Sequence, residues 1–176
     1  MEFAILHCLQ SIRSETMDWA VLFVSRLGDS GLVWIAASAI LLLIRRWRMT
    51  GLSVSAALIL DFVFVNLILK PLFGRERPCD IYPTEDMLSA CLSDHSFPSG
   101  HTAAAFAFTT ALTLRHKKAG VIAFVLAVLM GLSRLYLFVH FPSDVLAGAL
   151  FGILFGCLGH SLTRRLVDKK KDLTRV

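Results

Sequence analysis

"FPSGHTAAAFAF", residues 97–108, sets a proline, a serine, a glycine and a histidine at the head of a helix otherwise built from alanine, phenylalanine and threonine. Pro98 restricts the chain, Ser99 can cap, and the apolar residues that follow propagate the helix. Those rules account for Ser99 and leave His101 without a reason, because an imidazole one turn into so apolar a helix is costly. The stretch belongs to a longer run, residues 96–114, that contains no Asp, Glu, Lys or Arg.

Four more runs have the same character: residues 30–44, 49–60, 119–133 and 145–162, the second continuing past a lone Asp61 to Leu69. Each is near, or extendable to, the ~20 residues that cross a bilayer as helix. The 176 residues are 56% hydrophobic and only 18% charged, with a mean hydropathy of +0.67, which argues against a soluble domain. The pattern predicts an all-α, polytopic membrane bundle of about five transmembrane helices over residues 30–163. Residues 164–176 form a basic cytoplasmic tail. Residues 1–29 are apolar but broken by Arg13, Glu15, Asp18 and Arg26. They read as an amphipathic segment of one or two interfacial helices, with a short sixth span as the alternative. No cleavable signal peptide is expected, since no basic region precedes the first apolar residues.

The basic residues set an orientation. Arg45, Arg46 and Arg48 follow the first run, Arg115, Lys117 and Lys118 the third, and Arg164, Arg165, Lys169, Lys170 and Lys171 the fifth. With five spans all three clusters share one side, which the positive-inside rule makes cytoplasmic. Residues 70–98 and the turn at 140–143 then face outward. The net charge of +5 is mostly a topology signal, and no soluble basic face points to nucleic acid. Cys79 and Cys91 share the outer loop; a disulfide suits an oxidising exterior, and the spacing leaves bridged and free states open. Gly148, Gly152 and Gly156 recur at four-residue spacing, a stripe for close helix packing within the bundle or, second, a dimer seam. The oligomeric state stays open.

The costly polar residues converge on one rim. Lys70 ends the second span, just before the charged run "GRERP" at residues 74–78. Ser99, Gly100 and His101 open the third span; Ser133 and Arg134 lie near the outer end of the fourth. His140 and Asp144 bracket the turn into the fifth. Lys70, Arg77 and Arg134 are three cations from three segments, and bringing them together in apolar surroundings requires an anion between them. Arginine offers a planar fork for phosphoryl oxygens and lysine a point charge. The head of the third helix adds N–H groups and a positive dipole end, Ser99 a hydroxyl, and Gly100 room for close backbone approach. The set reads as a phosphate cradle. A carboxylate from Asp144 on Nδ1–H of His140 leaves Nε2 free as a nucleophile or base. His101, with no carboxylate at comparable spacing, is placed to protonate a leaving oxygen and then activate water.

Together these residues resemble the type 2 phosphatidic acid phosphatase family, which shares its fold with vanadium haloperoxidases. Lys, six residues, Arg-Pro matches Lys70, Arg77 and Pro78; Pro-Ser-Gly-His matches Pro98, Ser99, Gly100 and His101. Ser-Arg, five residues, His, three residues, Asp matches Ser133, Arg134, His140 and Asp144. Three motifs in order, each at a helix end on one face, are specific where any one alone is weak. The resemblance implies a multi-pass cell-membrane lipid phosphatase working at the outer face on a lipid phosphomonoester or diphosphate, undecaprenyl diphosphate being the first choice. It implies a phosphohistidine intermediate on His140 oriented by Asp144, with His101 as acid and then base. Lys70, Arg77, Ser99, Gly100 and Arg134 hold the phosphoryl oxygens, and no metal or other cofactor is needed. The implied partners are the lipid phosphate substrate and membrane lipids.

Other residues carry weaker signals. Asn66, one turn before Lys70, is a supporting residue with Pro78 and Ser133; Asp61 and Asn66 also suit inter-helix hydrogen bonding. His95 reads as an exposed loop residue. No His, Cys and carboxylate set has zinc spacing. A lipid-phosphate or anion transporter, without hydrolysis, is the alternative. Inverted repeats are not evident, and a transporter has no use for the His140–Asp144 pair.

Overall fold

The structure, a computed structural model, describes residues 1–83 and 87–173. The N-terminal segment forms two helices, α1 (Glu2–Ser11) and α2 (Glu15–Gly28). Ser14 separates them and caps α2, its hydroxyl accepting from the Met17 amide at 3.4 Å. After a short 3₁₀ turn, Asp29–Gly31, the chain bends by 54° into α3 (Leu32–Leu43), and Gly31 takes the positive φ of 66° that the bend needs. Leu6 of α1 is buried with Leu135, Phe138 and Phe141, so α1 rests on the rim where the last two helices meet.

Helix α4 (Arg48–Asp61) runs on through a π-helical stretch, Phe62–Leu69, into α5 (Lys70–Phe73). The Lys70 amide reaches back five residues to the Val65 carbonyl, and such widened turns recur at functional sites. Then come the short α6 (Pro78–Ile81), α7 (Gly100–Thr113), α8 (Lys117–Tyr136) and α9 (Pro142–Leu173). Among the described residues there is no strand. Segments Arg48–Ile81, Lys117–Tyr136 and Pro142–Leu166 are each long and apolar enough to cross a membrane, and the bent α2–α3 pair makes up to a fourth.

All five apolar runs are helical, but the run at residues 96–114 gives a helix shorter than the run itself. The 14 residues of α7 cover about 21 Å. Residues 96–99 are diverted into the rim turn, and α7 is enclosed by α4, α8 and α9. Its alanines explain this central place: Ala103, Ala105, Ala107 and Ala111 are wholly buried and let three neighbours approach closely. The glycine stripe serves the same end. A Cβ at Gly148 would stand 2.6 Å from the Ser99 carbonyl, and one at Gly156 2.5 Å from Thr110 Cβ. Gly159 faces α4, where a Cβ would stand 2.6 Å from the Ala57 amide nitrogen. The stripe is therefore intramolecular packing.

Large apolar side chains on the outside, among them Ile59, Phe62, Ile122, Leu146 and Leu150, are more than half exposed. A continuous belt of this kind on an apolar bundle faces lipid. The protein is a multi-pass, all-α membrane bundle. Cys79 and Cys91 are joined in a disulfide with Cα atoms 6.0 Å apart, tying α6 to the loop before α7. The segment read as a basic tail continues α9 as helix to Leu173, and residues 174–176 of that reading lie outside the described residues.

Candidate active site

Arg77 organises one half of the site. It is fully buried at the N-cap of α6, where Pro78 at the first helical position needs no amide partner. Its Nε donates to the Asp94 carbonyl at 2.8 Å and its Nη1 to the Val139 carbonyl at 2.8 Å. Nη1 also lies 3.2 Å from Nε2 of His140. A guanidinium can only donate, so Nε2 carries the lone pair and Nδ1 the proton. Nδ1 faces Asp144 Oδ2 at 3.6 Å and Ser96 Oγ at 3.4 Å. The turn at Leu137–Phe141 thus places His140 against a carboxylate on the first turn of α9. Burial pushes the His140 imidazole below its ordinary 6.5; the Asp144 hydrogen bond opposes this, and the Arg77 charge adds to it.

Asp144 is itself held on every side. Oδ2 accepts from Ser96 Oγ at 2.5 Å and from the Phe141 amide at 2.8 Å, while Oδ1 accepts from Arg75 Nη1 at 2.6 Å. Arg75 lies over the Phe141 ring, 4.1 Å from its centroid. Its Nη2 bonds Glu2 at 2.7 Å, and Glu2 also accepts from the Ser143 amide and hydroxyl. Through Arg75 the first turn of α1 is linked to the His140–Asp144 pair.

Lys70 and Arg77 do not face each other unscreened. The Asp94 carboxylate bridges them, with Oδ1 2.6 Å from Arg77 Nη2 and Oδ2 bonded to Lys70 Nζ. Burial alone would raise the Asp94 carboxyl, but the Lys70 hydrogen bond and charge, then those of Arg77, hold it at about 2. Both cations are buried and Asp94 is about half exposed. One carboxylate is thus held by two buried cations, and one of those cations, Arg77, also meets His140 Nε2.

Helix α7 and the N-terminal helices form the far wall. The Ser99 amide donates to the Asp144 carbonyl at 3.0 Å, which docks the head of α7 on α9. The Ser99 hydroxyl does not cap α7; it lies 3.0 Å from Thr102 Oγ1. Gly100 has no Cβ where Asn66 Oδ1 would stand 3.0 Å and Lys70 Nζ 3.6 Å away, so Asn66 is part of the wall. His101 Nε2 lies 3.5 Å from Asp29 Oδ1, and the charges of Arg134, Lys70 and Arg77 all reach it. Arg134 is buried, its Nη2 bonded to Ser25 Oγ, and Ser133 turns its hydroxyl to the Met130 carbonyl at 2.7 Å. A cavity of about 250 Å³ adjoins these groups, lined by Trp34, Asp61, Asn66, Lys70, Gly100 and His101 among others. Trp34 Nε1, Asp61 Oδ1 and His101 Nε2 are buried there without a hydrogen-bond partner. No carboxylate lies near His101 in sequence, but the fold brings Asp29 to ion-pair distance of it, short of a hydrogen bond.

The sequence model of the PAP2 superfamily matches residues 50–168, which contain all three motifs. The chain belongs to the PAP2 superfamily. An undecaprenyl-diphosphatase of Sulfolobus acidocaldarius is 32% identical over 140 residues, 78% of this chain and 66% of its own length. Among solved structures, Aquifex aeolicus LpxE superposes with a TM-score of 0.77 at 32% identity, covering 90% of this chain and 93% of that one. A transmembrane PAP2 type phosphatidylglycerolphosphate phosphatase from Bacillus subtilis gives 0.73 at 29% identity, covering 92% and 84%. The chain spans about half to two thirds of the length of the curated relatives it matches.

Within this PAP2 fold the rim gathers every motif residue, and it adds six that the sequence reading passed over: Glu2, Ser25, Asp29, Arg75, Ser96 and Asp94. Two were open to notice. Arg75 stands in "GRERP", and Asp94 is the last charge before the uncharged run that begins at Ser96. Glu2, Ser25 and Asp29 reach the site only because α1 and α2 fold back over α8 and α9.

Proposed function

We propose that this PAP2 protein hydrolyses a lipid phosphomonoester or diphosphate through a phosphohistidine on His140, without a metal ion. The carrying observation is the Asp94 carboxylate held by Lys70 and Arg77, with Arg77 3.2 Å from the lone pair of His140. A substrate phosphoryl group displaces Asp94 and takes its two positions. Nε2 then forms a bond to phosphorus as the bond to the leaving oxygen breaks, and His101 gives that oxygen its proton. Asp29 steadies the protonated His101. In the second half His101 takes a proton from water, the hydroxyl attacks phosphorus, the P–N bond breaks, and inorganic phosphate leaves. Lys70, Arg77, Arg134, Ser99 and the amides at the head of α7 neutralise charge on the equatorial oxygens, and fixed charge of this kind supplies most of the rate enhancement in phosphoryl transfer.

Undecaprenyl diphosphate is the preferred substrate, supported by the relative from Sulfolobus acidocaldarius. The test is phosphate release by the detergent-solubilised protein from undecaprenyl diphosphate, phosphatidylglycerol phosphate, phosphatidic acid and lipid A, each with chelator present. Release is expected to be fastest from undecaprenyl diphosphate and unaffected by chelator; no release from any of them overturns the reading. The site is assigned to the extracytoplasmic face because the arginine and lysine clusters lie at the other end of the bundle. In intact cells an impermeant thiol reagent is expected to label a cysteine introduced at Tyr82 and to spare one at Arg164; the reverse pattern inverts the orientation.

Asp94 competes with substrate for its cations. Asp94→Asn is expected to lower KM for a phosphate substrate several-fold, on the order expected for loss of one competing charge-assisted hydrogen bond. An unchanged or raised KM, measured with kcat, removes Asp94 from this role. The pH profile offers a separate check. Because burial depresses the His140 pKa, the imidazole stays neutral at neutral pH, and protonation removes the nucleophile only as pH falls below its ordinary 6.5. The acid limb of kcat/KM is therefore expected below 6.5, and a falling basic limb is expected in kcat, where the bound phosphoryl anion among Arg134, Lys70 and Arg77 lets His101 hold the proton it must donate. A profile that keeps rising well beyond the imidazole range counts against His101 as the acid.

A further inference from the structure

We propose that the end of the bundle opposite the cradle carries a second anion site, built for the phosphate headgroup of an anionic membrane lipid. Three arginines from three segments meet there: Arg46 before α4, Arg115 between α7 and α8, and Arg164 on α9. With Thr50, His116 and His160 they line a concavity of about 540 Å³. None of these residues belongs to the cradle.

The floor of the concavity is preorganised. Arg115 Nε donates to Ser53 Oγ at 2.9 Å, and Ser53 is bonded to Thr163 at 2.7 Å, which fixes the arginine between α4 and α9. Thr50 Oγ1 lies 2.9 Å from His116 Nε2, and the His116 ring stacks on Trp47 at 3.9 Å. His160 Nδ1 is buried without a hydrogen-bond partner. Among the described residues neither Arg46 nor Arg115 is ion-paired to a carboxylate. The charges of Arg115 and Arg164 both reach His160, so the group is a set of like charges drawn into one hollow. Arg46 and Arg164 stand on the exposed rim of the hollow, while hydroxyls and the ring stack hold Arg115 and His116 in its floor. Arg46 and Arg115 suit an oxyanion that accepts from guanidinium forks.

A lipid is the favoured source because the hollow opens beside apolar surface. Met49 and Leu114 are part of its lining, and Leu114 is half exposed. Basic pockets between membrane helices at the leaflet surface bind lipid headgroups in this manner. A lipid phosphate at this point clamps the ends of α4, α7 and α9, the same helices whose other ends shape the cradle.

The probe is phosphatidylglycerol, a phosphodiester that the proposed reaction does not consume. The purified, delipidated full chain is expected to bind it in preference to phosphatidylcholine and to gain thermal stability from it. An Arg46→Gln, Arg164→Gln double variant is expected to lose about tenfold or more in affinity, and Arg46→Lys, Arg164→Lys to keep part of it. A photoactivatable phosphatidylglycerol should leave adducts on peptides carrying Met49 and Leu114. Adducts confined to peptides around Gly100 and His101 would place the lipid in the cradle and end the proposal. So would equal binding of phosphatidylcholine, or unchanged binding by a folded double glutamine variant. Displacement by glycerol phosphate at the concentration of the lipid itself would make the site one for soluble phosphates and overturn the lipid assignment.

Discussion

His140→Ala is expected to abolish phosphoenzyme formation and to lower kcat by on the order of 10⁶-fold, the scale seen when a catalytic nucleophile is removed. The argument rests on one nitrogen. Arg77 Nη1 and His140 Nε2 are 3.2 Å apart, and since the guanidinium can only donate, Nε2 is the lone pair that points at the cradle. Among the described residues no other imidazole nitrogen is bonded to Arg77. Deleting the imidazole leaves those cations in place, so the variant should still bind a lipid phosphate or vanadate. His101→Ala gives the complementary result. With a good leaving group it should still be phosphorylated, since such a group departs without a proton, but hydrolysis of the intermediate should slow. Acid-labile phosphohistidine should then accumulate after brief exposure to substrate. Peptide mapping under acid-free conditions places the phosphate; finding it on His101 exchanges the two roles. Activity that survives in His140→Ala and requires a divalent ion removes the mechanism altogether.

What was legible in the sequence follows from how far each signal reaches along the chain. The uncharged runs could be seen because lipid exposure demands apolar residues on every outward face, and each became helix. The motif residues could be seen because charges at membrane depth are rare and these all fell at helix ends on one rim. The rim's partners were harder. Asp94 lies only two residues from the uncharged run, yet nothing local tells whether a loop carboxylate turns inward to two cations or outward to water. Asp29 and Glu2 are more distant cases. Their roles depend on α1 and α2 folding back over α8 and α9, and those contacts are made by apolar residues such as Leu6 with no distinctive spacing. The same limit explains Ser99. Capping rules gave its hydroxyl to the helix end, whereas tertiary contact with Asp144 fixes the backbone and leaves the hydroxyl for Thr102. The length of α7 was overestimated for a related reason: the hydropathy of residues 96–114 reports burial, and burial inside a bundle looks the same as burial in lipid.

Asp144→Asn is expected to lower kcat by about 10³–10⁴-fold while leaving KM nearly unchanged, by analogy with orienting carboxylates in other histidine systems. Two oxygens of Asp144 receive Arg75, Ser96 and the Phe141 amide in addition to facing His140. An asparagine has one acceptor oxygen, so its NH₂ must face a donor, and the imidazole proton is no longer held on Nδ1. Lys70 and Arg77 are untouched, which is why binding should survive. Arg75 gives a milder loss that a structural role alone would not reproduce. It touches no motif cation, yet its Nη1 lies 2.6 Å from the Asp144 carboxylate and shares that anion's charge with His140. Arg75→Gln therefore frees the full charge of Asp144 to favour protonated His140, and the acid limb of kcat/KM should move to higher pH. Asp144→Asn withdraws that charge, so its acid limb should move to lower pH. Arg75→Lys should return most of the way to wild type. Shifts of opposite sign identify Arg75 as a positioning residue acting through Asp144; shifts of the same sign, or none, would show that it only braces α1 against the rim.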